Sequence, residues 1–127
     1  MPETTESTAP PREDVAAFVA INAPLYKLDP EVLMSIWDHD GEFRSSTATS
    51  DDLPRIGEPW KLKILAGIKY LGALHERFGD YPQTLAAYQC GAGQVGYAVR
   101  THGDKWKERL PARVKSYLCV VLGKTVY

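Results

Sequence analysis

Apolar residues return at helical spacing along most of this chain, and no stretch alternates with period two over the length of a strand. The pattern predicts an all-α protein. A first helix is expected within Glu13–Tyr26, with Val15, Phe18, Val19 and Ile21 on one side and Pro24 ending or kinking it. The next stretch, DPEVLMSIWDHDGEF from Asp29 to Phe43, organises the rest. Asp29 is placed as an N-cap and Pro30 as the first helical residue, where its missing N–H costs nothing. Val32, Leu33, Ile36 and Trp37 then form one apolar face, and the helix runs into the ionisable residues Asp38, His39, Asp40 and Glu42. A helix that ends in carboxylates is well suited to holding an acid in a cleft.

The segment from Arg44 to Ile56, RSSTATSDDLPRI, is polar and turn-rich and reads as a surface loop. The longest helix follows from Pro59 to Phe78, with Trp60, Ile64, Ile68 and Leu71 marking one face, Leu74 and Phe78 continuing it, and Gly79 as its C-terminal cap. Short helices are expected at Tyr81–Gln89, opened by Pro82 and followed by Gly91, and at Gln94–Arg100. Trp106 lies in a charged connection. Pro111 opens a last helix, Ala112–Leu122, with Val114, Tyr117, Leu118 and Val121 facing inward.

Length and composition narrow the class. The 127 residues suit one domain with a sizeable core, and 44% hydrophobic with 24% charged residues is an ordinary globular balance. A net charge of −1 gives no general pull toward nucleic acid or an anionic membrane. The longest apolar runs are too short to span a bilayer. Residues 1–12, MPETTESTAPPR, have little to bury and read as a disordered arm; they hold no basic and apolar stretch of the kind that makes a secretory signal. Cys90 and Cys119 are too few for a disulfide scaffold or a four-ligand zinc site, and read as two small buried hydrophobes or one bridge.

Two motifs fail on their context. DHDGEF puts Asp38, Asp40 and Gly41 at the third, fifth and sixth places of a calcium loop, but Ile36 and Thr47 occupy the first and twelfth, where oxygen ligands are required. Gly91, Gly93 and Gly96 spell GxGxxG, yet LAAYQC before them reads as helix, whereas a dinucleotide fingerprint follows a strand. No metal and no cofactor is expected.

In order along the chain, LDPEVLMSIWDHDGEF, LAGIKYLGALHERFG, LAAYQCGAGQV and RLPARVKSYLCVVL resemble the lytic transglycosylase (SLT) family, with its goose-type lysozyme-like fold. The corresponding family segments are an apolar helix ending in Glu-Ser-x-Phe, an Ala-Gly-x-x-Tyr-Leu helix, a Tyr-Asn-Ala-Gly-x-Gly turn, and a closing Leu-Pro plus Tyr-Val helix. The likeness spans roughly residues 15–122. It implies a compact lysozyme-like helical domain over residues 13–127, acting on peptidoglycan by cleaving the β-1,4 bond between N-acetylmuramic acid and N-acetylglucosamine.

The departures fall on the chemistry. The family's catalytic glutamate matches Asp40 and its serine matches Gly41, while Phe43 keeps the phenylalanine. A Gly-Leu-Met-Gln segment that lines the family's cleft has no counterpart, and the loop from Ser45 to Ile56 is shorter than the family requires, which implies a shortened active-site lobe. In the turn, Tyr88 is kept, but Gln89 and Cys90 replace asparagine and alanine.

The resemblance therefore implies Asp40 as the general acid and base, with Glu42 as the alternative, and Tyr88, Gln89, Phe43 and Trp37 as the residues that would meet the sugar. A single acid of this kind must be protonated near neutral pH, which calls for a partly desolvated setting; Ile36, Trp37 and Phe43 would provide it. Adjacent carboxylates resist joint ionisation, so Asp38 would favour the protonated form of Asp40. Aspartate is also one methylene shorter than glutamate, and a misplacement of ~1 Å can cost about 10²-fold in rate.

Plainer roles stay open: solvated acids for Asp38 and Asp40, an exposed helix-terminal side chain for His39, and core packing for Tyr88, Trp60 and Trp106. Two readings of function follow. One is a divergent lytic transglycosylase with reduced activity; the other is an inactive lysozyme-fold module that binds glycan or serves as a structural part of a phage particle or an envelope-spanning machine. Either would be cytoplasmic until delivered to the periplasm or cell wall.

Overall fold

The computed structural model describes residues 10–43 and 59–123. The described residues form six α-helices and two 3₁₀ segments, with no strand among them. The helices are α1 (Arg12–Asn22), α2 (Pro30–Asp40), α3 (Pro59–Phe78), α4 (Tyr81–Cys90), α5 (Ala92–His102) and α6 (Ala112–Leu122). The predicted loop at 44–56 and most of the predicted arm lie outside the described residues. The chain divides into two compact units, residues 1–69 and 70–127, with the boundary inside α3.

In the first unit, α1 begins at Arg12, which is thus a helical residue. Pro24 ends the α-helical run as expected, and Ala23–Tyr26 tightens into a 3₁₀ turn. Lys27 closes that turn in the left-handed region at φ 62°, its N–H reaching the carbonyls of Ala23 and Pro24. A lysine held there accepts some strain in return for satisfying the end of the turn. The Asp29 carboxylate accepts the N–H of Glu31 at 2.9 Å and caps α2, with Pro30 in the first turn. Helices α1 and α2 pack against each other. Leu33 and Ile36 form the buried face of α2, while Val32 and Trp37 are only half-buried.

In the second unit, α3 ends at Gly79, whose left-handed backbone (φ 87°) lets its N–H bond to the carbonyl of His75 at 2.8 Å. Asp80 then caps α4 by accepting the Gln83 N–H at 2.8 Å. Helix α4 packs on α5 and α6, and residues Thr84 to Tyr88 are buried. The one fully buried polar side chain described, Thr84, bonds through Oγ1 to His75 Nδ1 at 3.0 Å, and the His75 ring stacks on Tyr81 at 4.3 Å.

Helix α5 is longer than the predicted 94–100, because Gly93 and Gly96 are accommodated inside it. The charged connection at 103–109 consists of two short 3₁₀ turns that meet at Lys105 and bury Trp106 as a packing anchor. Helix α6 has the predicted bounds and the predicted buried face. Both cysteines are free thiols, so the bridge is not formed.

Candidate active site

Asp40 is the last residue of α2. Gly41 follows at φ 77°, and its N–H closes the helix on the Trp37 carbonyl at 2.7 Å. This left-handed step turns the chain back, and Phe43 is buried with its ring 5.6 Å from that of Trp37. The pair contributes on the order of 0.5–1.5 kcal/mol beyond the area it buries. Trp37 and Phe43 thus come together at the end of α2.

The Asp40 side chain is only 18% exposed, and Oδ1 lies 2.6 Å from His39 Nδ1. Either ring tautomer accounts for the contact, with the proton on the imidazole or on the acid. One carboxylate oxygen is therefore engaged by the protein. Glu42, the alternative acid, is exposed. Residues next to one another in a helix do not normally face each other, so the His39–Asp40 contact is a product of the helix end and was not legible in the spacing.

Asp38 has a partner of its own in the first helix. It accepts two hydrogen bonds from the Arg12 guanidinium, Nε to Oδ1 at 2.7 Å and Nη2 to Oδ2 at 2.9 Å. Two residues apart on a helix, the side chains of Asp38 and Asp40 diverge. The hydrogen bonds from Arg12 hold the Asp38 carboxyl below its usual range, and those to Asp38 hold the guanidinium above its own.

The other two candidates belong to the second unit. Tyr88 lies in the buried face of α4, 3% exposed, with its ring 6.1 Å from that of Tyr70. Gln89 beside it is half-exposed. Cys90 is half-buried; burial raises the pKa of its thiol, and the charge of Arg113 opposes the rise.

The family model of the transglycosylase SLT domain matches residues 33–110, more than half of the chain. The chain belongs to the transglycosylase SLT family. No curated protein and no solved structure matches it. The SLT match begins at Leu33 within α2 and ends at Leu110, so it includes Asp40, Glu42, Phe43, Tyr88 and Gln89 and leaves out α1 and α6. It accounts for the lysozyme-like all-α fold and makes peptidoglycan the substrate class. Among the described residues, no helix is long and apolar enough to cross a membrane.

Proposed function

We propose that this SLT-family protein cleaves the β-1,4 bond between N-acetylmuramic acid and N-acetylglucosamine with Asp40 as its single acid and base, more slowly than a glutamate enzyme would. The observation that carries the reading is the setting of Asp40: a largely buried carboxylate at the end of α2, beside the Trp37–Phe43 pair, with one oxygen engaged by His39.

In the first step Asp40 gives its proton to the glycosidic oxygen as the C1–O4 bond breaks. It then takes the proton of the muramyl O6 hydroxyl while O6 bonds to C1. The product is a 1,6-anhydro ring, no water is consumed, and Asp40 ends protonated as it began. Tyr88 and Gln89 come into this reading through the resemblance, as partners for the sugar near the cleaved bond. The protein would act at the periplasm or cell wall, carried there by a phage particle or a secretion machine.

The shorter acid favours a second reading, an inactive module that only binds glycan. Mass spectrometry of muropeptides released from purified peptidoglycan separates the two. Anhydro-muropeptides from the native protein and none from Asp40→Asn are the expected result. Reducing-end products would make the protein a hydrolase. No release at high protein load from pH 5 to 8 would overturn catalysis, and co-sedimentation with the insoluble wall would then support the binding module.

A further inference from the structure

The glycines of the failed GxGxxG match have a different use. Gly96 is buried in α5, and at the point a Cβ would occupy there it meets two guanidinium groups: Arg100 Nη1 and Arg77 Nη2, each 3.3 Å away. The two nitrogens are therefore no further apart than twice that distance. Arg100 reaches the spot from one turn along α5, and Arg77 from the end of α3, where it also lies 5.1 Å from the Phe78 ring. Both arginines are exposed. Among the described residues, no carboxylate pairs with either.

Like charges this close repel unless something compensates them. Each arginine sits in the last turn of its own helix, where the dipole favours a cation. That explains one charge per helix end, but not the convergence of two on a single glycine. Each guanidinium carries five N–H donors, enough to offer several to one ligand. A single carboxylate or phosphate fits between two such nitrogens with N–O bonds of ~2.8 Å.

We propose that Arg77 and Arg100, seated over Gly96, form an oxyanion-binding site for a carboxylate or phosphate group. The missing side chain at position 96 lets both guanidiniums approach. The site is independent of Asp40 and stands whether or not the protein is catalytic.

The test is a nuclear magnetic resonance titration of the full chain at constant ionic strength. One arm uses inorganic phosphate, the other acetyl-D-alanyl-D-alanine, whose one carboxylate resembles those of wall peptides; chloride is the reference. Saturable shifts of the Gly96 amide and of the Arg77 and Arg100 Nε–H signals are expected in at least one arm. The arm that saturates more tightly identifies the ligand as phosphate or carboxylate. Arg77→Gln and Arg100→Gln should each weaken binding roughly tenfold or more, the loss expected for a charged hydrogen bond, while the rest of the spectrum stays folded. If a glutamine variant unfolds, the lysine variant at that position replaces it, and weaker but measurable binding is expected. Shifts no larger than those with chloride, or binding that survives both substitutions, would overturn the proposal.

Discussion

Arg12 and Asp38, twenty-six positions apart, meet in a two-pronged ion pair that ties the first turn of α1 to the end of α2. Asp38 lies two residues before Asp40, so the pair helps to set where the helix end sits. Both groups are exposed, so the contact serves more to fix geometry than to add stability.

Its pH dependence has a definite sign. The Asp38 carboxyl is held below its unfolded value, so its contribution is present above the ordinary aspartate range of about 3.9 and is lost as pH falls through the lower folded value. Arg12 is shifted upward, so its share persists through neutral pH and is lost only at extreme alkalinity. Urea midpoints of the native protein and Asp38→Asn should differ at pH 7 and converge on acidification. A difference that persists unchanged at pH 2 would mean that asparagine perturbs something other than the ion pair.

Gly41 tests the turn that follows the acid. Apart from its chain neighbours, no described atom lies within 4 Å of the position a Cβ would take, so a side chain there would meet chiefly the strain of φ 77°. Gly41→Ser, which restores the family's residue type, should therefore cost roughly 1–2 kcal/mol. Gly41→Asn should cost less, because asparagine tolerates this conformation better. Thermal melts of the two variants would show the order; a serine variant as stable as the native protein would mean that the turn relaxes.

The sequence showed most clearly what local chemistry dictates. Asp29 with Pro30, and Pro111, mark the starts of α2 and α6, and Gly79 marks the end of α3. Helix α5 read short because glycines weaken helix propensity, and tertiary packing overrode that preference. Asp40, Trp37 and Phe43 stood out as an acid with aromatic neighbours. The partners of the acidic cluster did not, since the Arg12–Asp38 pair depends on how α1 meets α2, and the His39–Asp40 contact depends on side-chain placement at the helix end. The convergence of Arg77 and Arg100 on Gly96 is tertiary in the same way.

Cys90 makes a prediction about reactivity. Burial raises its pKa, and the thiolate is the form that attacks an alkylating reagent. At pH 7.5 iodoacetamide should modify Cys90 more slowly than an unhindered thiol, with the rate climbing as pH rises toward the elevated pKa. Peptide mapping after timed quenching reads the site directly. Rapid modification at neutral pH would show that the thiol is more accessible than its half-buried position indicates.

The sharpest test of the acid lengthens it. By the resemblance Asp40 stands in for the family's glutamate, one methylene shorter, and His39 engages one of its two oxygens. If the frame around α2 otherwise follows the family, Asp40→Glu moves the proton-donating oxygen toward the glycosidic bond and should raise the release of anhydro-muropeptides by up to about 10²-fold. The gain should appear in kcat with KM little changed, because the acid's contact strengthens in the transition state rather than in the bound substrate. A fall in rate with Asp40→Glu, alongside an active native protein, would mean that the Gly41 turn already brings the shorter acid into reach. The rate limitation would then lie in the cleft wall, where the Gly-Leu-Met-Gln segment has no counterpart.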